Sequence, residues 1–293
     1  MKPRATVVIP TFNHGPLLTL AVESVRRQSE RRLEVVIIGD GATPETCAAA
    51  ESAATADDRI QFVAFSKDSS KGERYRPSIL QHAQGEVVCY LADDDLWTPD
   101  HVETMLDLLT GPGAADFAMT LQVRPSPRGG VTLGPAGYVD LSRPLHRRLA
   151  AQPTSGFANG LSCVAHTMDF YRSLPHGWRT SPVGIPTDGW MWKQCLEQPE
   201  ARAVSRCRAT AVHFHSPPRR LWSTERRLEE MTRFFDVFVA GGLDEELRHL
   251  ERAAARSSAI HTAWQTMWMQ LHRTPFARPA MRLTGSILNR PVR

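Results

Sequence analysis

The chain has 293 residues, 42% hydrophobic and 23% charged, with a formal net charge of +4. That length accommodates one large α/β domain with an extension or two small domains, and the balance is that of an ordinary globular protein. No stretch approaches the run of about 18 apolar residues that crosses a bilayer, and the five cysteines (Cys47, Cys89, Cys163, Cys195, Cys207) lack CxxC spacing, which argues against a disulfide framework and a zinc site.

The opening MKPRATVVIPTFN has a short apolar run broken at Pro10 and no cleavage pattern after it, so it reads as a cytoplasmic start that enters a strand directly. Four β-branched runs, ATVVIP, LEVVII, IQFVAF and EVVCYLA, are bounded by turn residues and predict strands. Between the first two, Leu17, Leu18, Ala21, Val22 and Val25 share one helical face, with Pro16 suited to the first turn. SILQHAQG predicts a short helix with Gly85 at its C-cap. This alternation implies an α/β fold with a mostly parallel sheet flanked by helices.

ADDD follows the fourth strand. Three adjacent carboxylates, Asp93, Asp94 and Asp95, repel one another and need solvent, cations or a metal. Thr98 reads as the N-cap and Pro99 as the first residue of a following helix with the stripe Val102, Met105, Leu106 and Leu109. The triplet therefore occupies a turn at the carboxyl end of the sheet, where ligands of open α/β folds bind. A solvated charge cluster is the plainer alternative. Asp40, in VVIIGDGA, ends the second strand and suits either a tight Asp-Gly turn or contact with a base or ribose. Asn13 and His14 end the first strand and are either turn residues or part of the same rim.

From Arg124 to about Gly160 the text is rich in Pro and Gly and weak in periodicity, predicting a long functional loop. GLSCVA then reads as a strand, MDFYRSL and DGWMWKQCL as helices, and ATAVHFH as a strand. Two helical stretches follow over roughly 220–240 and 244–271, separated by Gly241 and Gly242. After Glu251 there is no acid but seven arginines; this basic segment fits either a packed helix or a peripheral membrane contact.

Three motifs, VVIPTFNHGPLL, LEVVIIGDGA and GEVVCYLADDDLWTPDHVE, resemble in order and spacing the GT-A glycosyltransferases of family 2. The resemblance continues through NGLSCVAHTMDFYRSLPHGWRTSP, PTDGWMWKQCL and AVHFHSP, covering roughly residues 4–217. It implies a GT-A, Rossmann-like sheet: a nucleotide-sugar half over 1–120, an acceptor half over 121–218 and a helical extension over 219–293. By the same resemblance, Pro10, Thr11, Asn13, Asp40, Arg76 and Asp93 form the nucleotide-binding set. Asp94 and Asp93, with His215 chosen over His213, hold Mn2+ or Mg2+, and Asp188 is the general base. Asp188 equally suits a helix start, and Lys71, Arg74 and Arg76 equally suit a solvated loop. Trp178, Trp190 and Trp192 fit an acceptor platform or core. The sequence departs from many relatives at Gly39 and Ala92, where they carry acids.

The implied activity is inverting, metal-dependent transfer from a nucleotide-diphospho-sugar, taken as a UDP-sugar, to a carbohydrate or glycoconjugate acceptor during cell-surface polysaccharide or glycoconjugate assembly, with no nucleic-acid partner. One alternative is a nucleotidyltransferase acting on a sugar phosphate, against which stands the missing Gly-rich, basic phosphate loop. The other is a non-catalytic GT-A-like binding protein, against which stand Asp94 and Asp188.

Overall fold

The four β-branched runs form the parallel part of one mixed sheet. The computed structural model describes residues 2–126, 130–134, 137–154, 160–215, 219–238 and 242–256. In it β1 (Ala5–Thr11) lies between β2 (Leu33–Asp40) and β4 (Val87–Tyr90), with β3 (Ile60–Phe65) beyond β2, all parallel. Beyond β4 the sheet turns mixed, through β8 (Val164–Thr167), β6 (Phe117–Pro125), β9 (Ala203–Val212) and the two-residue β5 (Leu96–Trp97). A further strand, β7 (Val131–Leu133), hairpins onto β6. The chain reverses its direction of strand addition between β1 and β4, which opens a crevice at their carboxyl ends. Thr11, Asp40 and Asp93 sit on that edge.

Helices cover the sheet. The first, α1 (Gly15–Arg26), buries the expected stripe from Leu17 to Val25. Between β2 and β3, α2 (Pro44–Ala56) starts at Thr43, whose hydroxyl accepts from the Thr46 N–H at 3.4 Å. It buries only Thr46, Ala50 and Ala53, too faint a stripe to read as periodicity. Further along come α3 (Arg76–His82), α4 (His101–Leu109), α5 (Pro144–Ala150), α6 (Met168–Ser173) and α7 (Thr187–Leu196). Two helices close the described chain: α8 (Thr224–Phe238) and α9 over residues 244–256. Met231, Phe234, Phe235 and Phe238 of α8 are buried, each contributing roughly 1.5–3 kcal/mol of apolar burial. That face rests on the body: Phe234 meets Phe214 edge-on at 5.8 Å, and Arg27 of the α1 end lies 5.0 Å from the Phe235 ring. Among the described residues, no helix is long and apolar enough to cross a membrane.

Several local expectations are corrected. Gly85 does not cap α3, which ends at His82; its role is close approach, since a Cβ there would lie 2.4 Å from the Thr6 nitrogen. Thr98 does not cap α4; its hydroxyl points to the Thr210 carbonyl, and the helix starts three residues later with Asp100 at the N-cap. The stretch 124–160 is not one loop, because β7 and α5 lie within it. In GLSCVA, Leu161–Cys163 form a 3-10 turn, and the strand begins at Val164. The last strand stops at Val212 rather than running to His215; the His215 N–H bonds the His213 carbonyl at 3.0 Å, a tight turn incompatible with extension. The helix expected over 244–271 is described to residue 256, and most of the basic segment lies outside the described residues. Trp178 and Trp192 are core, packed around Tyr90 at 5.4 and 5.8 Å. All five cysteines are free thiols.

Candidate active site

A crevice of about 710 Å³ opens where β1, β2 and β4 end. Its lining includes Pro10, Thr11, Asn13, His14, Asp40, Lys71, Arg76, Asp93, Asp94 and Asp188. Residues from five separate segments thus converge on one space. Arg74 stays outside, exposed and 3.7 Å from Asp68.

The acidic turn is divided by its partners. Asp93 accepts from the Thr11 hydroxyl at 2.6 Å and contacts His14 Nδ1 at 2.9 Å. Asp94 accepts from Arg227 Nη2 at 2.6 Å, and Arg227 Nη1 lies 2.9 Å from His14 Nε2. Burial, together with the charges of Asp95 and Asp93, pushes the Asp94 carboxyl up to about 7 against the pull of His14 and Arg227. Asp95 faces inward: it accepts from Ser162 Oγ at 2.5 Å and the Phe214 N–H at 3.0 Å, with His213 Nδ1 at 3.1 Å. Ser162 also accepts the Ala92 N–H at 3.0 Å, so it clamps both ends of the turn. The third aspartate is therefore an anchor to the far half of the sheet.

His14, Asp93 and Asp94 each offer one ligand atom, all within 4.8 Å of one another. One imidazole nitrogen and two carboxylate oxygens suit Mn2+, and Mg2+ through the carboxylates. His215 is not brought to this trio. The turn after β9 sends it to an adjoining cavity, where it lies with Arg124 and Arg219.

On the β2 side, Asp40 pairs with Lys67 and accepts the Asp68 N–H at 2.6 Å. Gly72, at φ +68°, comes so close that a Cβ would lie 2.8 Å from Asp40 Cβ. Glu73 fixes this loop from below, accepting from Ser70 Oγ at 2.7 Å, the Lys71 N–H at 2.8 Å and the Ser181 N–H at 3.1 Å. The effect is to hold Lys71 at the crevice wall.

Arg76 is buried, with its guanidinium carbon 4.0 Å from the Trp178 ring centre; Nε and Nη1 have no hydrogen-bond partner. A buried cation with open donors is costly unless an anion meets it. Asp188 stands at the start of α7, half-buried, and no hydrogen bond reaches its carboxylate among the described residues. Burial holds its carboxyl above the ordinary aspartate range, opposed by the positive charges of Arg76 and Lys71. Its carboxylate is therefore more basic than that of an exposed aspartate.

Residues 6–160 match the family model described as Glycosyl transferase family 2. The chain belongs to this family. It is 30% identical over 93 residues to GalNAc(5)-diNAcBac-PP-undecaprenol beta-1,3-glucosyltransferase of Campylobacter jejuni, a match over 32% of this chain and 30% of that protein. It is 23% identical over 105 residues to glycosyltransferase GlyG of Streptococcus pneumoniae, over 36% of this chain and 35% of that one. The matched segments span about a third of these relatives. In fold, the family 2 chain is similar to S. aureus TarS 1-349 (TM-score 0.56, 16% identity, 80% of this chain and 64% of that one). It is also similar to the mannosyltransferase PcManGT of Pyrobaculum calidifontis, solved in complex with GDP-Man and Mn2+ (TM-score 0.52, 17% identity, 98% and 86% covered).

Four contributors to this family 2 crevice had no signal pointing to their roles: Ser162, Glu73, Arg227 and the imidazole of His14 as a partner of Asp93. His14 had only its place on the rim. Ser162 and Glu73 act through contacts between segments 67 and 108 residues apart, which no local pattern encodes.

Proposed function

We propose that the protein transfers a sugar, with inversion, from a nucleotide-diphospho-sugar to a hydroxyl of a carbohydrate or glycoconjugate acceptor. The donor is taken as a UDP-sugar and the setting as assembly of cell-surface polysaccharide or glycoconjugate. The observation that carries this is the meeting, in one crevice, of Asp40, the His14–Asp93–Asp94 trio, Arg76 and the unpartnered carboxylate of Asp188.

Asp188 accepts the proton of the acceptor hydroxyl as its oxygen attacks the anomeric carbon. The bond from that carbon to the diphosphate oxygen breaks, and its electron pair leaves with the diphosphate. Arg76, Lys71 and Arg227 line the space where this charge grows, and fixed cations in a partly desolvated site stabilise it more than water does. His14, Asp93 and Asp94 would hold a divalent ion, which when bound would supply Lewis-acid stabilisation of the same leaving group. Asp40 accepts hydrogen bonds from the base. TarS has been solved with UDP-GlcNAc and PcManGT with GDP-Man and Mn2+, which supports a nucleotide-sugar and a metal here. The undecaprenol-linked substrate in the name of the Campylobacter relative supports a glycoconjugate acceptor.

Calorimetric titration with UDP, GDP and ADP, each with and without Mn2+, tests the reading. UDP is expected to bind at least tenfold more tightly with Mn2+, and Asp94→Ala to abolish that gain. A UDP affinity indifferent to both ion and substitution would overturn it.

A further inference from the structure

A second cavity, about 650 Å³, adjoins the crevice and shares Arg219 and Trp222 with it. Its volume suits a small saccharide. Arg124 enters from β6, while Arg226 and Arg233 enter from α8 seven residues apart, hence on one helical face. Arg219 forms part of the wall: it donates to Glu230 through two nitrogens, to the His215 carbonyl at 3.1 Å, and lies between the Phe214 and Trp222 rings. Its charge is spent on structure.

The other three guanidiniums are differently placed. Among the described residues none of Arg124, Arg226 and Arg233 has an ion pair, although Glu229 stands on the same rim. Arg124 Nε is buried without a hydrogen-bond partner. The Arg226 guanidinium is stacked 3.9 Å from the Trp222 ring centre, which orders its planar fork while leaving its edge donors open. Preorganised arginine donors beside an aromatic face form a receptor for a planar or tetrahedral oxyanion attached to a sugar ring.

We infer that this cavity is the acceptor subsite and that it selects an acceptor carrying an anionic group, a phosphate or a carboxylate. The inference rests on the glycosyltransferase reading of the adjoining crevice. The two spaces meet at Arg219 and Trp222, so an acceptor anchored by its anion in the cavity has its hydroxyl end on the side of the donor crevice.

The test uses the full chain and three probes: glucose 1-phosphate, glucuronate and neutral methyl glucoside, titrated by calorimetry or ligand-observed NMR. Binding is measured with the crevice saturated by UDP and Mn2+, and again without either. An anionic probe is expected to bind in both conditions and methyl glucoside at least tenfold more weakly; which of the two anions wins identifies the acceptor's charge. The double variant Arg226→Gln/Arg233→Gln, on the exposed helix face, is expected to weaken that binding by about 10- to 100-fold, with UDP affinity unchanged. Arg124→Gln is expected to do the same. Equal binding of neutral and anionic probes, or variants that bind the anion like wild type, would overturn the inference. Loss of UDP binding in the wild type would instead strike the proposed activity, while the titration without UDP would still report on the cavity.

Discussion

Two buried histidines make the fold acid-sensitive in a calculable way. His101 stacks on Trp97 with ring centres 4.1 Å apart, bonds Thr210 Oγ1 at 2.7 Å through Nδ1, and leaves Nε2 buried without a partner. His166 lies in a relay: Trp178 Nε1 donates to the Tyr90 hydroxyl at 2.9 Å, Tyr90 bonds His166 Nε2 at 2.7 Å, and Nδ1 bonds the Thr167 carbonyl at 3.0 Å. His166 has a partner at each ring nitrogen, and among the described residues neither ring hydrogen-bonds a carboxylate that would favour its charged form. Burial lowers the pKa of His101 to about 3 and that of His166 to about 4. An unfolded histidine takes its proton near 6.5, so the unfolded state binds more protons as pH falls. Stability is therefore full above pH 6.5 and lost progressively down to the folded-state values. Between pH 6.5 and 5 each ring removes about 2 kcal/mol, at about 1.36 kcal/mol per pH unit, a large share of the roughly 5–15 kcal/mol typical of a domain. Asp94 works in the opposite direction, since its raised pKa lets the folded state take a proton first. The decisive reading is thus a difference. His101→Phe retains the stack on Trp97 but cannot titrate, so its urea-unfolding free energy should fall about 2 kcal/mol less than wild type over that window. Parallel curves for the two proteins would refute the assignment of a buried neutral imidazole.

Other outcomes follow from the site. Asp188→Asn should leave UDP binding nearly intact while transfer falls by about 10²–10⁴-fold, seen in steady-state kinetics; in wild type the acid limb of the pH–rate profile should lie above the range of an exposed aspartate, because the base must be ionised and its pKa is raised. Arg227→Met removes the cation that pairs with Asp94 and should cost about 2–4 kcal/mol without metal; thermal unfolding should show Mn2+ restoring more stability to this variant than to wild type. Gly85→Ala forces a Cβ against the backbone of Ala5 and Thr6 and should destabilise by about 1–3 kcal/mol or more, measured by chemical denaturation.

Much of this was legible from residue order. The β-branched runs and the α1 stripe define the parallel sheet, and strand ends in an α/β fold point to one edge, so Asn13, His14, Asp40 and Asp94 could be grouped before any coordinates, whereas Asp188, at a helix start, joined them only through the motif resemblance. The motif resemblance then chose among their roles. What stayed hidden has physical reasons. The alanine-rich α2 buries small side chains and so lacks contrast between faces. Thr98 has the chemistry of a helix cap, yet tertiary pairing with Thr210 outcompetes that local use. Position 215 follows a strand-like alternation, but a one-residue turn redirects it. Arg227 lies in TERRLEEMTRFF, where alternating charges read as solvated surface; only the docking of α8 onto α1 shows that one of those arginines points inward.

That docking also orders events in time. Arg227 lies 133 residues after Asp94 and 213 after His14. At the usual pace of translation, about 5–20 residues per second, the acidic turn emerges from the ribosome on the order of ten seconds or more before its cation does. A nascent chain that has reached the acidic turn still lacks the cation that pairs with Asp94. The eighth helix thus completes the crevice last: only a molecule synthesised well past the acidic turn carries the full set of side chains that meet there.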